Sequence, residues 1–197
     1  TSGRSYSLAA HTLPSARGQG EPLTGKLSPP PGATFISMLM GNDEERVLLA
    51  TDAGYGFVAK LADLQSKNRT GKALLSVPEK ANVLPPCVVR DATNDLLIAI
   101  SNEGRLLVFP LSELPELAKG KGNKIMNIPS SRLEAREEFL QFVAVVSKGQ
   151  QLMVYAGKRH TVLKGSDFDE YRGERGRRGN KLPRGFQSVD RIEVADR

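Results

Sequence analysis

Tryptophan is absent from this chain of 197 residues, cysteine occurs once and histidine twice. Each scarcity excludes something. The single thiol, Cys87, can form no internal disulfide and cannot by itself build a thiolate zinc site. Placed between Pro85-Pro86 and Val88-Val89, it reads as a buried, inert group in a reducing cytoplasm. His11 and His160 have no acidic partner at metal-ligand spacing and read as surface or strand residues. No apolar run approaches the roughly 20 residues that cross a bilayer, and no basic stretch followed by an apolar segment opens the chain, so neither membrane insertion nor secretion is indicated. The first residues are Thr1-Ser2-Gly3 rather than Met, close to a strand-like run, so a fragment of a longer polypeptide is expected.

Catalytic constellations are equally scarce. Gly25-Lys26 and Gly71-Lys72 lack the upstream glycine and the following Ser or Thr of a phosphate-binding P-loop. No Gly-x-Ser-x-Gly elbow occurs. The acidic clusters Asp43-Glu44-Glu45 and Glu137-Glu138 fall in expected turns and read as solvated surface. No residue is assigned a catalytic or metal-binding role, and no cofactor or small-molecule substrate is expected for this chain.

What the chain does contain is an internal repeat. An apolar run, a polar turn, a glycine and a second apolar run occur at Val47–Gly54, Leu96–Gly104 and Leu152–Gly157, and the chain begins inside another at Ser2–Leu8. The turn glycines Gly3, Gly54, Gly104 and Gly157 stand 51, 50 and 53 residues apart. Ten residues after the first three come Leu13, Leu64 and Leu114, and the fourth copy offers Phe168 one position later. The flanking runs are rich in Val, Ile, Leu and Phe and have strand length. Short helix candidates are Ala59–Gln65, Leu111–Ala118 and Ser131–Phe139, the last of which is highly charged and looks like a surface turn.

These features predict an all-β fold. Four propeller-like blades of roughly 50 residues would form a radial array, partial or open, with each blade burying its faces against its neighbours. A sandwich is the competing arrangement, and the missing tryptophan excludes the WD type of blade. With 39% hydrophobic residues, the chain can build one domain over residues 1–197, its repeats running 1–45, 46–93, 94–148 and 149–197.

Charge follows the same period. Net charge is +6, yet residues 16–26, 66–72, 118–124 and 171–186 alone carry +12, which leaves −6 on the rest. Lysine and arginine beside glycine suit phosphate, because the backbone amides can approach the same anion. The candidate phosphate contacts are Arg17, Lys26, Lys67, Arg69, Lys72, Lys119, Lys121, Lys124, Arg172, Arg175, Arg177, Arg178 and Lys181. If equivalent loops fall on one rim, they match the spaced phosphates of a bent duplex, read without regard to sequence. Bending costs on the order of 1–6 kcal/mol per 20–30 base pairs, so several loops must act together. Aromatics make up only 6%, which disfavours single-strand binding by stacking; Tyr171, beside the last loop, is the exception. Two other readings stay open: a scaffold for an acidic protein, and an RNA-binding module acting through the arginine-glycine tract Arg172–Lys181 alone.

The run Tyr6 to Leu27, the segment Lys67 to Pro86, the stretch Asn94 to Pro129 and the closing Gly173 to Glu193 resemble the C-terminal domain of the A-type subunit of bacterial DNA topoisomerase IV. They are more distantly similar to the matching domain of the A-type subunit of DNA gyrase. The resemblance implies a β-pinwheel, whose propeller-like blades exchange strands with their neighbours. It also implies double-stranded DNA as ligand and a role in decatenation, relaxation and chromosome segregation. Strand cleavage would lie elsewhere in a parent heterotetramer, which joins a second A-type subunit to B-type subunits and would use ATP and Mg. The family's catalytic tyrosine lies outside this region, so Tyr6, Tyr55, Tyr155 and Tyr171 are not given that role. A cytoplasmic location at the nucleoid, including the inner face of the cell membrane, is implied as well. Gyrase relatives carry a Gln-Arg-Arg-Gly-Gly-x-Gly box for tight chiral wrapping, which Ala16–Gly20 and Arg175–Gly179 match only in part. That departure favours topoisomerase IV over gyrase-like supercoiling. Lys158, Arg159 and Arg184 lie off the aligned loops and are candidates for a protein partner, which the family makes an SMC-type condensing complex.

Overall fold

The apolar runs flanking Gly54 and Gly104 fold as tight antiparallel hairpins, each centred on its glycine turn. The computed structural model describes residues 1–196; Arg197, the last residue of the fourth repeat, lies outside them. In chain order the elements are β1 (Arg4–Ser5), β2 (Arg46–Thr51), β3 (Tyr55–Lys60), α1 (Leu61–Leu64), β4 (Lys72–Ala73), β5 (Cys87–Val89), β6 (Leu96–Ser101) and β7 (Arg105–Pro110). There follow β8 (Asn123–Lys124), α2 (Ser130–Glu134), β9 (Leu140–Val146), β10 (Gln150–Ala156), β11 (Arg159–Lys164), β12 (Asn180–Lys181) and β13 (Arg191–Asp196).

The strands make four sheets, ordered β1-β4, β5-β2-β3-β8, β9-β6-β7-β12 and β13-β10-β11. In the first three, the last strand comes from the repeat that follows. Lys72–Ala73 pairs with β1, Asn123–Lys124 with β3, and Asn180–Lys181 with β7. The array is therefore an all-β pinwheel of strand-exchanged blades. At the opposite edge, β5 packs on β9, and β9 packs on β13, so these edges face one another and line the inner side. The exchanged strands β4, β8 and β12 lie on the outer side.

Burial explains why β2 and β6 are unbroken apolar runs instead of alternating ones. Leu48, Ala50 and Val58 join Leu97, Ala99, Leu107 and Phe109 in one core, while Val47, Leu49, Phe57 and Ala59 face Leu74 and Leu75 in another. The alternate residues of the third sheet, Ile98, Ile100, Leu106 and Val108, meet Leu152, Val154 and Leu163 of the fourth and Phe168 from the 3-10 turn Gly165–Tyr171 that follows β11. Successive strand residues point to opposite faces, so a sheet with neighbours on both sides needs apolar residues throughout. Each valine, leucine, isoleucine or phenylalanine buried in this way contributes about 1.5–3 kcal/mol. In β10 the pattern reverts to alternation, with Leu152 and Val154 buried and Gln151, Met153 and Tyr155 half-exposed, as suits a terminal blade.

Three expectations need correction. The expected helix Leu111–Ala118 is one 3-10 turn, Leu111–Glu113, after which the chain runs extended beside β3: Leu117 N–H donates to the Val58 carbonyl at 2.8 Å and Val58 N–H to that of Pro115 at 3.0 Å. Pro115 keeps the residue before it extended, which ends the turn. The helix candidates at Ala59–Gln65 and Ser131–Phe139 shrink to α1 and α2; Ala59 belongs to β3, and Arg136 takes a left-handed φ of 56° just past α2. The repeat positions also differ in burial, which the spacing alone does not address: Leu13 is 45% exposed, unlike Leu114 and Phe168, because the first sheet has two strands and offers little surface to pack on.

Candidate nucleic-acid interface

Each exchanged strand is docked in the same way. Gly122 and Gly179, at φ of +77° and +74°, open β8 and β12. A Cβ at either position would run into the carbonyl of Gly56 or Leu106 on the receiving strand, so the approach requires glycine. One turn-glycine carbonyl then accepts from each incoming strand: Gly3 from Leu74 N–H at 3.0 Å, Gly54 from Ile125 at 2.6 Å and Gly104 from Leu182 at 2.8 Å. Arginines of the receiving hairpins reach the same segment. Arg4 donates to the carbonyls of Thr70 and Gly71 at 2.9 and 3.0 Å, and Arg105 to that of Gly179 at 3.2 Å. In the middle blade Tyr55 takes this place, and the cation comes from the incoming arm, Lys121 Nζ lying 3.8 Å from the ring centroid.

Because residues 66–72, 118–124 and 171–181 lead into or form β4, β8 and β12, three basic stretches occupy the same edge of three successive sheets. They also touch in series. Arg69 donates to the carbonyls of Gly25 and Lys26 at 2.7 and 2.9 Å, joining the first stretch to the second. Gly120 N–H donates to Leu74 and its carbonyl accepts from Ser76, both at 2.8 Å, joining the second to the third. Gly176 N–H donates to Ile125 at 2.9 Å, Asn127 N–H to Arg177 at 3.1 Å and Arg175 to the Lys124 carbonyl at 2.8 Å, joining the third to the fourth. The outcome is one continuous basic line along the outer side.

The candidate cations differ in availability. Arg17, Lys67, Lys119 and Lys181 are exposed, and their side chains make no hydrogen bond or ion pair among the described residues. Lys121 is exposed over Tyr55, and Lys124 is half-buried near Asn127 at 3.4 Å. Lys26 holds the Thr12 carbonyl and Glu21, and Lys72 donates to the Asp63 carbonyl at 2.6 Å. Arg172 pairs with Asp169 at 2.6 Å and Arg177 with Glu174 at 2.9 Å, all four exposed, so phosphate can compete for them. Arg69 and Arg175 are bound to backbone carbonyls, and Arg178 to Glu138. Lys158 and Arg159 sit in the turn into β11 and at its start, with the Arg159 guanidinium against Gly185, next to Arg184.

Two polar residues were misread from sequence. Glu138, expected as solvated surface, is 1% exposed and accepts from Arg132 at 2.7 Å and from Arg178. The sequence offered no local signal, since Arg178 arrives from 40 residues away. Tyr171, the ring considered for stacking, is 3% exposed in the core between the third and fourth sheets, where burial raises its phenol pKa above the ordinary value. No base can stack on it. Cys87, expected to be buried, is half-buried at the edge of the core; desolvation still pushes its thiol up to about 11, far from a reactive thiolate. A cleft of about 340 Å³ beside it, lined by Arg90, Val143, Val145 and Gln150, lies on the inner side, away from the basic line. No described helix is long and apolar enough to cross a membrane.

The solved E. coli ParC C-terminal domain covers 100% of this chain and 79% of its own, with a TM-score of 0.91 and 51% identity. This chain belongs to the family of C-terminal domains of the topoisomerase IV A-type subunit. The A-type subunit of DNA topoisomerase 4 from Pseudomonas aeruginosa is 58% identical over 194 residues, and that from Escherichia coli 52%. Those alignments take in 98% of this chain and 26% of each relative, so the chain spans about a quarter of the length of these curated proteins. The family model "DNA gyrase C-terminal domain, beta-propeller" matches residues 45–84 and 95–147. A solved DNA gyrase A C-terminal domain shares the fold at a TM-score of 0.60 and 17% identity. Within the topoisomerase IV family the fold is thus the same strand-exchanged pinwheel that the hairpins and exchanged strands build here.

Proposed function

We propose that residues 1–197 act as one DNA-binding domain, which holds duplex DNA by its phosphates on the basic outer line and performs no chemistry. The observation that carries this reading is the serial contact of four basic stretches, three of them along the edge formed by β4, β8 and β12 and the first joined to it through Arg69. Exposed lysines beside glycines suit phosphate recognition that ignores base identity. As part of a type IIA topoisomerase, the domain would bend a segment and help select it for decatenation and relaxation. Cleavage and ATP hydrolysis would occur elsewhere in the assembly, which joins a second A-type subunit to B-type subunits. The partial match to the gyrase box at Arg175–Gly179 fits relaxation and decatenation rather than gyrase-like supercoiling. Lys158 and Arg159 at the start of β11, with the Arg159 guanidinium against Gly185 and so near Arg184 in the loop after β12, form a separate patch that we assign to a protein partner of the SMC type.

The test is a titration of labelled duplex against the 197-residue chain at several salt concentrations. Four phosphate contacts predict that log K falls with log salt at a slope of about −3.6, close to −0.9 for each contact. A slope near zero, or tight binding to an acidic polypeptide with none to duplex, would overturn the DNA reading.

A further inference from the structure

We infer that Glu138 is a positioning residue for the arginine-glycine loop, and that Arg178 shapes this loop instead of meeting a phosphate; the inference rests on the DNA reading above. Glu138 lies just ahead of β9, in the body of the third repeat. Both its oxygens are engaged: Oε2 accepts from Arg132 Nη1 at 2.7 Å, and Oε1 accepts from Arg178 Nη2. Arg132 is itself held by Glu103 at 2.8 Å and Glu137 at 3.5 Å, so the anchor is a network and not a single pair. A phosphate could recruit Arg178 only by leaving Oε1 without its partner in a place that is 1% exposed. That penalty exceeds what an exposed ion pair returns.

The rest of the loop fits this assignment. On one side Arg175 and Gly176 are bonded to the backbone of Lys124 and Ile125, and on the other Arg105 holds the Gly179 carbonyl. Arg178 adds the one tie to a buried anion. With its backbone fixed on both sides, the loop presents Arg172, Arg177 and Lys181 outward, all exposed. Glu138 thereby aids DNA binding although its charge opposes that of DNA.

Two variants separate this from simple charge counting, Glu138→Gln and Arg178→Lys, each in the 197-residue chain with a labelled linear duplex. Charge counting expects Glu138→Gln to bind more tightly, since a negative charge is lost, and Arg178→Lys to bind unchanged. Positioning expects both to weaken binding by about fivefold or more at 0.15 M salt, the effect of losing one phosphate contact. Amide exchange over residues 172–181 should quicken in both variants, while β6 and β7 keep their protection. Tighter or unchanged binding by Glu138→Gln while the unmodified chain binds duplex overturns this inference alone. Equal quickening of β6 and β7 does so too, by making the role one of general stability. Failure of the unmodified chain to bind duplex defeats the DNA reading instead. Should Glu138→Gln not fold, Arg178→Lys decides: unchanged binding overturns the inference, and weaker binding with local quickening upholds it.

Discussion

Residues 118–124 and 171–181 hold equivalent places on neighbouring blades and bring three and five cations, yet they use them differently. The shorter stretch is built of lysine and glycine, with Lys119 and Lys121 at the surface and, among the described residues, only the Tyr55 ring to steady Lys121. In the longer one Arg175 and Arg178 are bound inward, and Arg172 and Arg177 are matched with exposed acids. Lysine acts as a point charge on a flexible stem, whereas the guanidinium fork fits carbonyls and carboxylates and so serves as structure. Formal charge therefore overstates what the arginine-rich stretch offers a polyanion and describes the lysine-rich one fairly.

The harshest way to break this comparison is to remove what both stretches share. Gly122→Val and Gly179→Val should each destabilise the domain by about 3 kcal/mol, through a left-handed φ and a clash with the receiving carbonyl. Urea denaturation measures this, and wild-type midpoints would mean that the exchanged strands do not need the close approach. Sharper is a contrast between the stretches. The double variant Lys119→Ala, Lys121→Ala should flatten the salt slope by about 1.8 and weaken duplex binding roughly thirtyfold at 0.15 M salt. Its stability should stay within about 0.5 kcal/mol of the parent. Arg175→Ala should do the opposite, costing about 1 kcal/mol of stability and changing the slope by less than about 0.9; interchanged results would refute the contrast. The smallest effect belongs to Tyr55. Tyr55→Leu should cost about 0.5–1 kcal/mol by removing the ring under Lys121, and Tyr55→Phe should cost little. Lys121 side-chain proton shifts report it: ring-shifted values that persist in Tyr55→Leu would show that Tyr55 does not hold the lysine.

Much of this was legible beforehand. The near-constant spacing of Gly3, Gly54, Gly104 and Gly157 marked the repeat, and the length and composition of the apolar runs at Val47 and Leu96 marked strands. What stayed hidden depends on partners distant in the chain. Glu138 reads as surface until Arg178 arrives, and Tyr171 sits beside a basic tract yet belongs to the core next door. The fate of Leu111–Ala118 was hidden differently. Its composition favours a helix, but Pro115 and a free edge of β3 draw it into extended pairing, tertiary context overriding propensity. Strand exchange itself came only from family resemblance, because Asn123–Lys124 and Asn180–Lys181 are too short to announce themselves as strands.

Strand exchange also sets a timetable for synthesis. The pairing of Tyr55 with Lys124 and of Arg105 with Lys181 means that a hairpin leaving the ribosome waits for most of the next repeat before its outer edge is covered. At about 5–20 residues per second, the delay is several seconds. During that interval the nascent hairpin exposes an unpaired edge, so each newly made blade is vulnerable until its successor is translated.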